Sequence, residues 1–154
     1  MRAACDPRGW RGETAEITVE LARVDDTTTT EGSVRHHRVL VDRPPEKQGD
    51  DRGAMGGELL LLSPGGCFMG NVNVIAVARA REVRSEDLRA RVTGTLTEHP
   101  QRYAAVRLEV SGGGVDAASF AKIVAISERA CIVANTLREC RDLKIEVVEP
   151  AKAT

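Results

Sequence analysis

The longest apolar stretch of the chain, Leu59 to Ala80, restricts the fold more than any other feature. Ser63, Pro64, Gly65, Gly66, Asn71 and Asn73 interrupt it. A membrane-spanning segment would not carry so much polar and helix-breaking material at its centre. The stretch instead predicts a core helix over about 58 to 82. Phe68, Val72, Ile75 and Ala76 suit one helical face, and Arg79, Arg81 and Glu82 close the segment.

A core helix needs partners, and the flanking sequence supplies strands. AEITVELARV alternates apolar Ile17, Val19 and Leu21 with Thr18, Glu20 and Ala22, as a half-buried strand does. The turn residues 25 to 32 end it, and SVRHHRVLVD resumes a strand pattern, which predicts an antiparallel hairpin. RPPEKQGDDRGAMGG, 43 to 57, reads as a long loop. Beyond the helix, ARVTGTLTEH and YAAVRLEVSG predict a second antiparallel pair around His99-Pro100-Gln101. Asp116 is a good N-cap for a helix from 117 to about 140, with Phe120, Ile123 and Val124 on its apolar face. LKIEVVE, 143 to 149, predicts a last strand. The order is β-β-loop-α-β-β-α-β, an α+β domain over 14–150 with antiparallel strands and two helices, preceded by a tail, 1–13.

Charge and aromatic content narrow the function classes. The formal net charge is −1 and aromatic residues are 3% of the 154. Neither a phosphate backbone nor stacked bases would find much to bind, so no nucleic-acid partner is expected. The start, MRAACDPRGWRGE, lacks the apolar centre of a signal peptide, and a cytoplasmic location follows as the expectation. Thiols are kept reduced there. Cys5, Cys67, Cys131 and Cys140 contain no CxxC pair, which argues against a zinc ribbon or a disulfide framework. Redox or nucleophilic chemistry is what remains for them. A metal site from Cys67, Cys131 and a histidine is poorly supported. His36 and His37, adjacent on a strand, would point to opposite faces.

Cys67 and Cys131 carry the chemical interest. Ser63-Pro64 has the composition of a helix start, with Ser at N-cap and Pro at the first helical position. Cys67 would then fall in the first turn, where free N–H groups and the macrodipole favour a thiolate. A thiol near pKa 8.5 is about 3% ionised at pH 7, and one lowered to about 6 is about 90% ionised. Gly65 and Gly66, each about 1 kcal/mol worse than Ala in a helix, make sense where something approaches the backbone closely. The competing reading of Cys67 is a small buried hydrophobe among leucines. Cys131 lies in SERACIVANTLREC, in mid-helix by this reading, sharing a face with Ser127 and more loosely with Asn135.

GGELLLLSPGGCF, 56 to 68, and CIVANTL, 131 to 137, together resemble the OsmC/Ohr family of thiol-dependent hydroperoxide reductases. The element order from about 15 to 149 agrees with that family. The resemblance implies an intertwined homodimer with both helices contributing to sites at the interface. It implies that Cys67 attacks the peroxide O–O bond and that the resulting sulfenic acid condenses with Cys131. An external dithiol, of lipoyl type or a small thiol, would reduce the disulfide, with no metal, haem or flavin. Arg23, before the Thr-rich turn, is the residue that would support the thiolate, with Arg35, Arg38 and Arg52 as substitutes. Glu58 is the carboxylate that would position the arginine, although the family's usual glutamate position is occupied here by Gly57. Pro64-Gly65-Gly66 and Ile132 also depart from the family pattern and mark a divergent member. The alternative is a catalytically weak family member that binds an apolar ligand or acts as a structural dimer.

Overall fold

The structure, a computed structural model, describes residues 15–78 and 83–139, together with Leu143 and Ile145. They divide into two compact units, one ending at Gly56 and one beginning at Gly57.

The first unit is a three-stranded antiparallel sheet. Strand β1 (Glu20–Arg23) pairs with β2 (Thr30–Val34), and β2 pairs with β3 (His37–Val41). A first hairpin forms, but not as the alternation predicts: β1 keeps only residues 20–23, Ile17, Val19 and Leu21 are exposed rather than half-buried, and β2 starts inside the predicted turn 25–32. The predicted second strand is split: SVRHHRVLVD is broken by a turn at Arg35 and His36, with Val34 opposite His37. Arg35 takes a positive φ of 55° there. Four consecutive polar residues, Arg35 to Arg38, offer nothing for a sheet face to bury, and the chain reverses within them. His36 and His37 are therefore not alternating strand residues, and their rings lie 3.9 Å apart. After β3, the Asp42 carboxylate is buried. It accepts hydrogen bonds from the Thr28 and Thr29 hydroxyls and from the Arg43 and Arg52 amides. The Thr28 hydroxyl foremost, with the two amides and Thr29, holds this carboxyl well below the usual range against the opposing effect of burial. A short 3-10 turn at Pro45–Lys47 and a bridge between Val41 and Ala54 order the loop that follows.

The second unit is helix against hairpin. Helix α1 (Gly56–Ala78) is long and apolar enough, by length and composition alone, to cross a bilayer. Here its Phe68, Val72 and Ala76, spaced by four, are buried in a protein core as the sequence predicts. Strand β4 (Arg84–Glu98) pairs with β5 (Gln101–Gly113) over nearly their whole length. The turn between them contains His99–Pro100, with a cis peptide bond. A register shift between Thr95 and Leu96 bulges β5 at Ala104. Leu88 of β4 completes the α1 core with Ile123 of α2 (Ala117–Ala130). The Asp116 side chain accepts from the Ser119 amide at 2.9 Å, the predicted N-cap. The predicted helix to about 140 stops at Ala130, and a separate α3 (Ile132–Glu139) follows. Of the predicted last strand, Leu143 and Ile145 alone are described, in no regular element. Its other residues, the tail 1–13, Cys5 and Cys140 lie outside the described residues.

Candidate functional site

Helix α1 begins seven residues before Ser63, so Ser63-Pro64 is not its start and Cys67 is not in its first turn. Pro64 sits inside the helix and has no N–H to give the Leu60 carbonyl. Such a residue costs about 3 kcal/mol in a helix interior. Burial of Phe68, Val72 and Ala76 in the next three turns carries the helix through it. The glycines have a partial explanation: a Cβ on Gly65 would meet Val92 Cγ2 at 3.1 Å, so strand β4 lies close over the backbone there. Gly66 has nothing within 4 Å of the same position. The close neighbour is the chain's own hairpin.

Cys131 occupies the break between α2 and α3. It is fully buried, with φ −78° and ψ 105°, an extended residue between two helices. Its carbonyl accepts from the Asn135 amide at 3.0 Å, the first bond of α3. The Ala134 amide points at its Sγ, 3.4 Å away. Those are the two bonds of an N-cap residue, here made with sulfur in place of the usual oxygen. The mid-helix expectation for Cys131 is therefore wrong. At the break, the Cys131 side chain is buried against α1.

The two sulfurs meet. Cys131 Sγ–H donates to Cys67 Sγ at 3.3 Å, across 64 residues of sequence. Burial pushes the Cys131 thiol up, the Ala134 N–H opposes that, and the Cys67 sulfur adds to the rise. Cys131 therefore keeps its proton at neutral pH. Cys67 is partly exposed. Cys131 also lines a groove of about 1100 Å³, bounded by Leu60, Pro64 and Phe68 on α1, Tyr103 on β5 and Arg138 on α3. Cys67 is not among the residues that line it.

The remaining predicted residues are placed as follows. Glu58 is in the first turn of α1. Nine residues, or about 14 Å of helical rise, separate it from Cys67. Arg23 is in the first unit at the end of β1, where its Nε donates to the Thr27 carbonyl at 2.7 Å. Arg38 forms an ion pair with Glu31 across β2 and β3. Two residues were not singled out from sequence. The Tyr103 hydroxyl donates to the Gly57 carbonyl at 3.2 Å, and a Cβ at Gly57 would meet that hydroxyl at 3.3 Å. Asn71, one turn beyond Cys67, donates to the Ser127 carbonyl. Its signal was available as a polar interruption of the apolar stretch. Among the described residues no three His, Cys, Asp or Glu side chains converge as metal ligands would.

With this geometry in hand, comparison with known proteins is decisive for the family. The sequence model of the OsmC-like protein family matches residues 49–146. The chain belongs to the OsmC-like family. Solved structures agree at the level of fold. An OsmC-like protein from Mycoplasma pneumoniae is 17% identical, with a TM-score of 0.65 over 83% of this chain and 91% of that one. A hypothetical protein from Aquifex aeolicus is 23% identical, with a TM-score of 0.67 over 85% and 93%. The organic hydroperoxide resistance protein OhrB of Bacillus subtilis is 17% identical, with a TM-score of 0.58 over 86% and 97%. No curated protein matches the sequence. The OsmC-like assignment accounts for the helix-on-hairpin unit and supports a redox role. At these identities it transfers no residue's function by itself.

Proposed function

We propose that this OsmC-like protein is a cysteine-based peroxidase for organic hydroperoxides. The observation that carries the reading is the 3.3 Å separation of the Cys67 and Cys131 sulfurs. Cys67, the more exposed of the two, attacks as thiolate on the outer peroxide oxygen. The O–O bond breaks, Cys67 becomes a sulfenic acid, and the departing alkoxide takes a proton to leave as an alcohol. Cys131, which holds its proton until needed, then attacks the Cys67 sulfur as thiolate, forming the disulfide and releasing water. An external dithiol, of lipoyl type or a small thiol, reduces the disulfide by exchange, and no metal, haem or flavin takes part. Arg23 would pair the Cys67 thiolate and Glu58 would orient Arg23, as the family resemblance implies. The protein would act as a cytoplasmic homodimer. Leu62, Val74 and Val77 on α1 are 64%, 69% and 80% exposed, an apolar surface suited to a second copy.

One observation favours the alternative of a weakly catalytic, apolar-ligand-binding member. The Tyr103 hydroxyl stands against the Gly57 backbone, at the position where the family resemblance calls for a carboxylate. The test separates the two. Purified protein is mixed with cumene hydroperoxide and a dithiol, and peroxide loss is compared with that of Cys67→Ser. A fall of at least 100-fold in the variant is expected. Equal consumption by both proteins would remove the peroxidase reading and leave the binding one.

A further inference from the structure

A disulfide requires the two sulfurs to close from 3.3 Å to about 2.05 Å, and misplacement by about 1 Å can cost a reaction 100-fold. Something must therefore hold the α2–α3 break at the correct height over α1. The core supplies pressure but no register, because apolar contacts are not directional. Hydrogen bonds are directional, and two asparagine side chains make them at this junction.

Asn71 lies one helical turn after Cys67, and Ser127 lies one turn before Cys131. The Asn71 Nδ2 donates to the Ser127 carbonyl at 3.4 Å, a long bond that ties the two cysteine-bearing segments side by side. Ser127 is fully buried, and its hydroxyl donates to the Ile123 carbonyl at 2.8 Å, which keeps that hydroxyl satisfied within α2. On the other side of Cys131, Asn135 Nδ2 reaches back from α3 to the Arg129 carbonyl at 3.1 Å. Carbonyls in the last turn of a helix lack intrahelical donors, so both asparagines supply what the end of α2 needs. Asn135 also bonds Cys131 through its backbone, and Arg138 follows on α3 to pair with Glu128 across the same break.

We infer that Asn71 and Asn135 are positioning residues that hold Cys131 in bonding reach of Cys67 through the Ser127 and Arg129 carbonyls. Neither touches the reacting sulfurs with its side chain amide. The inference deepens the peroxidase reading, yet its test does not require peroxide. Oxidised glutathione can form the disulfide by exchange, two protein thiols giving one protein disulfide and two glutathione thiols.

Asn71→Leu and Asn135→Leu keep the side-chain shape and favour the helix while removing the donor. Each variant is equilibrated in glutathione redox buffers and the Cys67–Cys131 disulfide is quantified by mass after thiol trapping. The expected result is a roughly tenfold smaller equilibrium constant for ring closure in each variant, a potential about 30 mV higher. Urea stability is expected to be equal to or above wild type, which separates positioning from general loosening. Asn135→Gln keeps the donor and is expected to stay within twofold of wild type. A wild-type potential in both leucine variants overturns the inference, as does a loss of stability equal to the loss of ring closure. Absence of the disulfide in wild-type protein overturns it too. Normal ring closure in wild type without peroxide consumption would instead sink the peroxidase reading alone. Should Asn71→Leu not fold, the surface variant Asn135→Leu decides the matter.

Discussion

Cys67 and Cys131 lie 3.3 Å apart in opposite kinds of backbone. Cys67 is deep inside a continuous helix, where every neighbouring N–H is already committed to the helical ladder or, at Pro64, is missing. Cys131 is at a helix break, with an amide of α3 pointing at its sulfur. The terminus that could favour a thiolate therefore serves the buried cysteine. It does not prevail there, since burial outweighs the Ala134 and Val133 amides and the Cys131 thiol is raised. Two touching thiols thus have different settings: Cys67 is partly exposed on a continuous helix, and Cys131 is buried at a capped break.

The largest effect that could break this division is chemical. Cys131→Ser should abolish the intramolecular disulfide and leave sulfenic acid at Cys67 open to a dimedone-type trap, read by intact mass. If wild type and variant trap equally, Cys131 has no part in the second step. Next in size is the core that both cysteines share. Ile123→Ala should lower stability by about 2–5 kcal/mol in a urea titration, because Ile123 is fully buried beneath the junction. A change under about 1 kcal/mol would mean that Ile123 is not packed in the core beneath α2.

Pro64 sharpens the Cys67 side. If α1 is continuous through it, Pro64→Ala should raise stability by about 1–3 kcal/mol, less whatever the smaller side chain loses in packing. Were Ser63-Pro64 a true helix start, the same change would be neutral or unfavourable, since proline is preorganised for that position. The smallest effect concerns the Cys131 proton. A thiol raised in the folded state contributes fully below its unfolded value, near 8.5, and that contribution is lost as pH rises through the folded value. Wild-type stability should thus fall more steeply above about pH 8.5 than that of Cys131→Ala. Parallel profiles from pH 7 to 10 would show that the buried thiol is not the titrating group.

Much of this was legible from residues alone. Period-2 alternation located the β4–β5 pair, and spacing by four located Phe68, Val72 and Ala76, because those periodicities are imposed by backbone geometry whatever the neighbours. The same reading placed β1 only roughly, since Ile17, Val19 and Leu21 are exposed. Asp116 was legible as a cap because a carboxylate before a helix has one obvious local use. The two cysteine segments, taken with their order, were enough to suggest the family. The start of α1 near 58 was legible to within two residues, but the false start at Ser63-Pro64 and the break at Cys131 were not resolved by local sequence. Ser63-Pro64-Gly65-Gly66 has the local chemistry of a beginning, and ERACIVAN has no residue that demands a break. In both places local preference does not decide: the α1 core carries a helix across proline, and α2 ends at Ala130 with Cys131 buried against Cys67. Periodicity and the Asp116 cap thus located α1, the β4–β5 hairpin and the start of α2, and missed the turn between β2 and β3 and the break between α2 and α3. Tertiary structure alone decided which thiol is capped, which is buried, and that they touch, because a meeting between residues 64 apart depends on the docking of whole elements and not on any interaction within either segment.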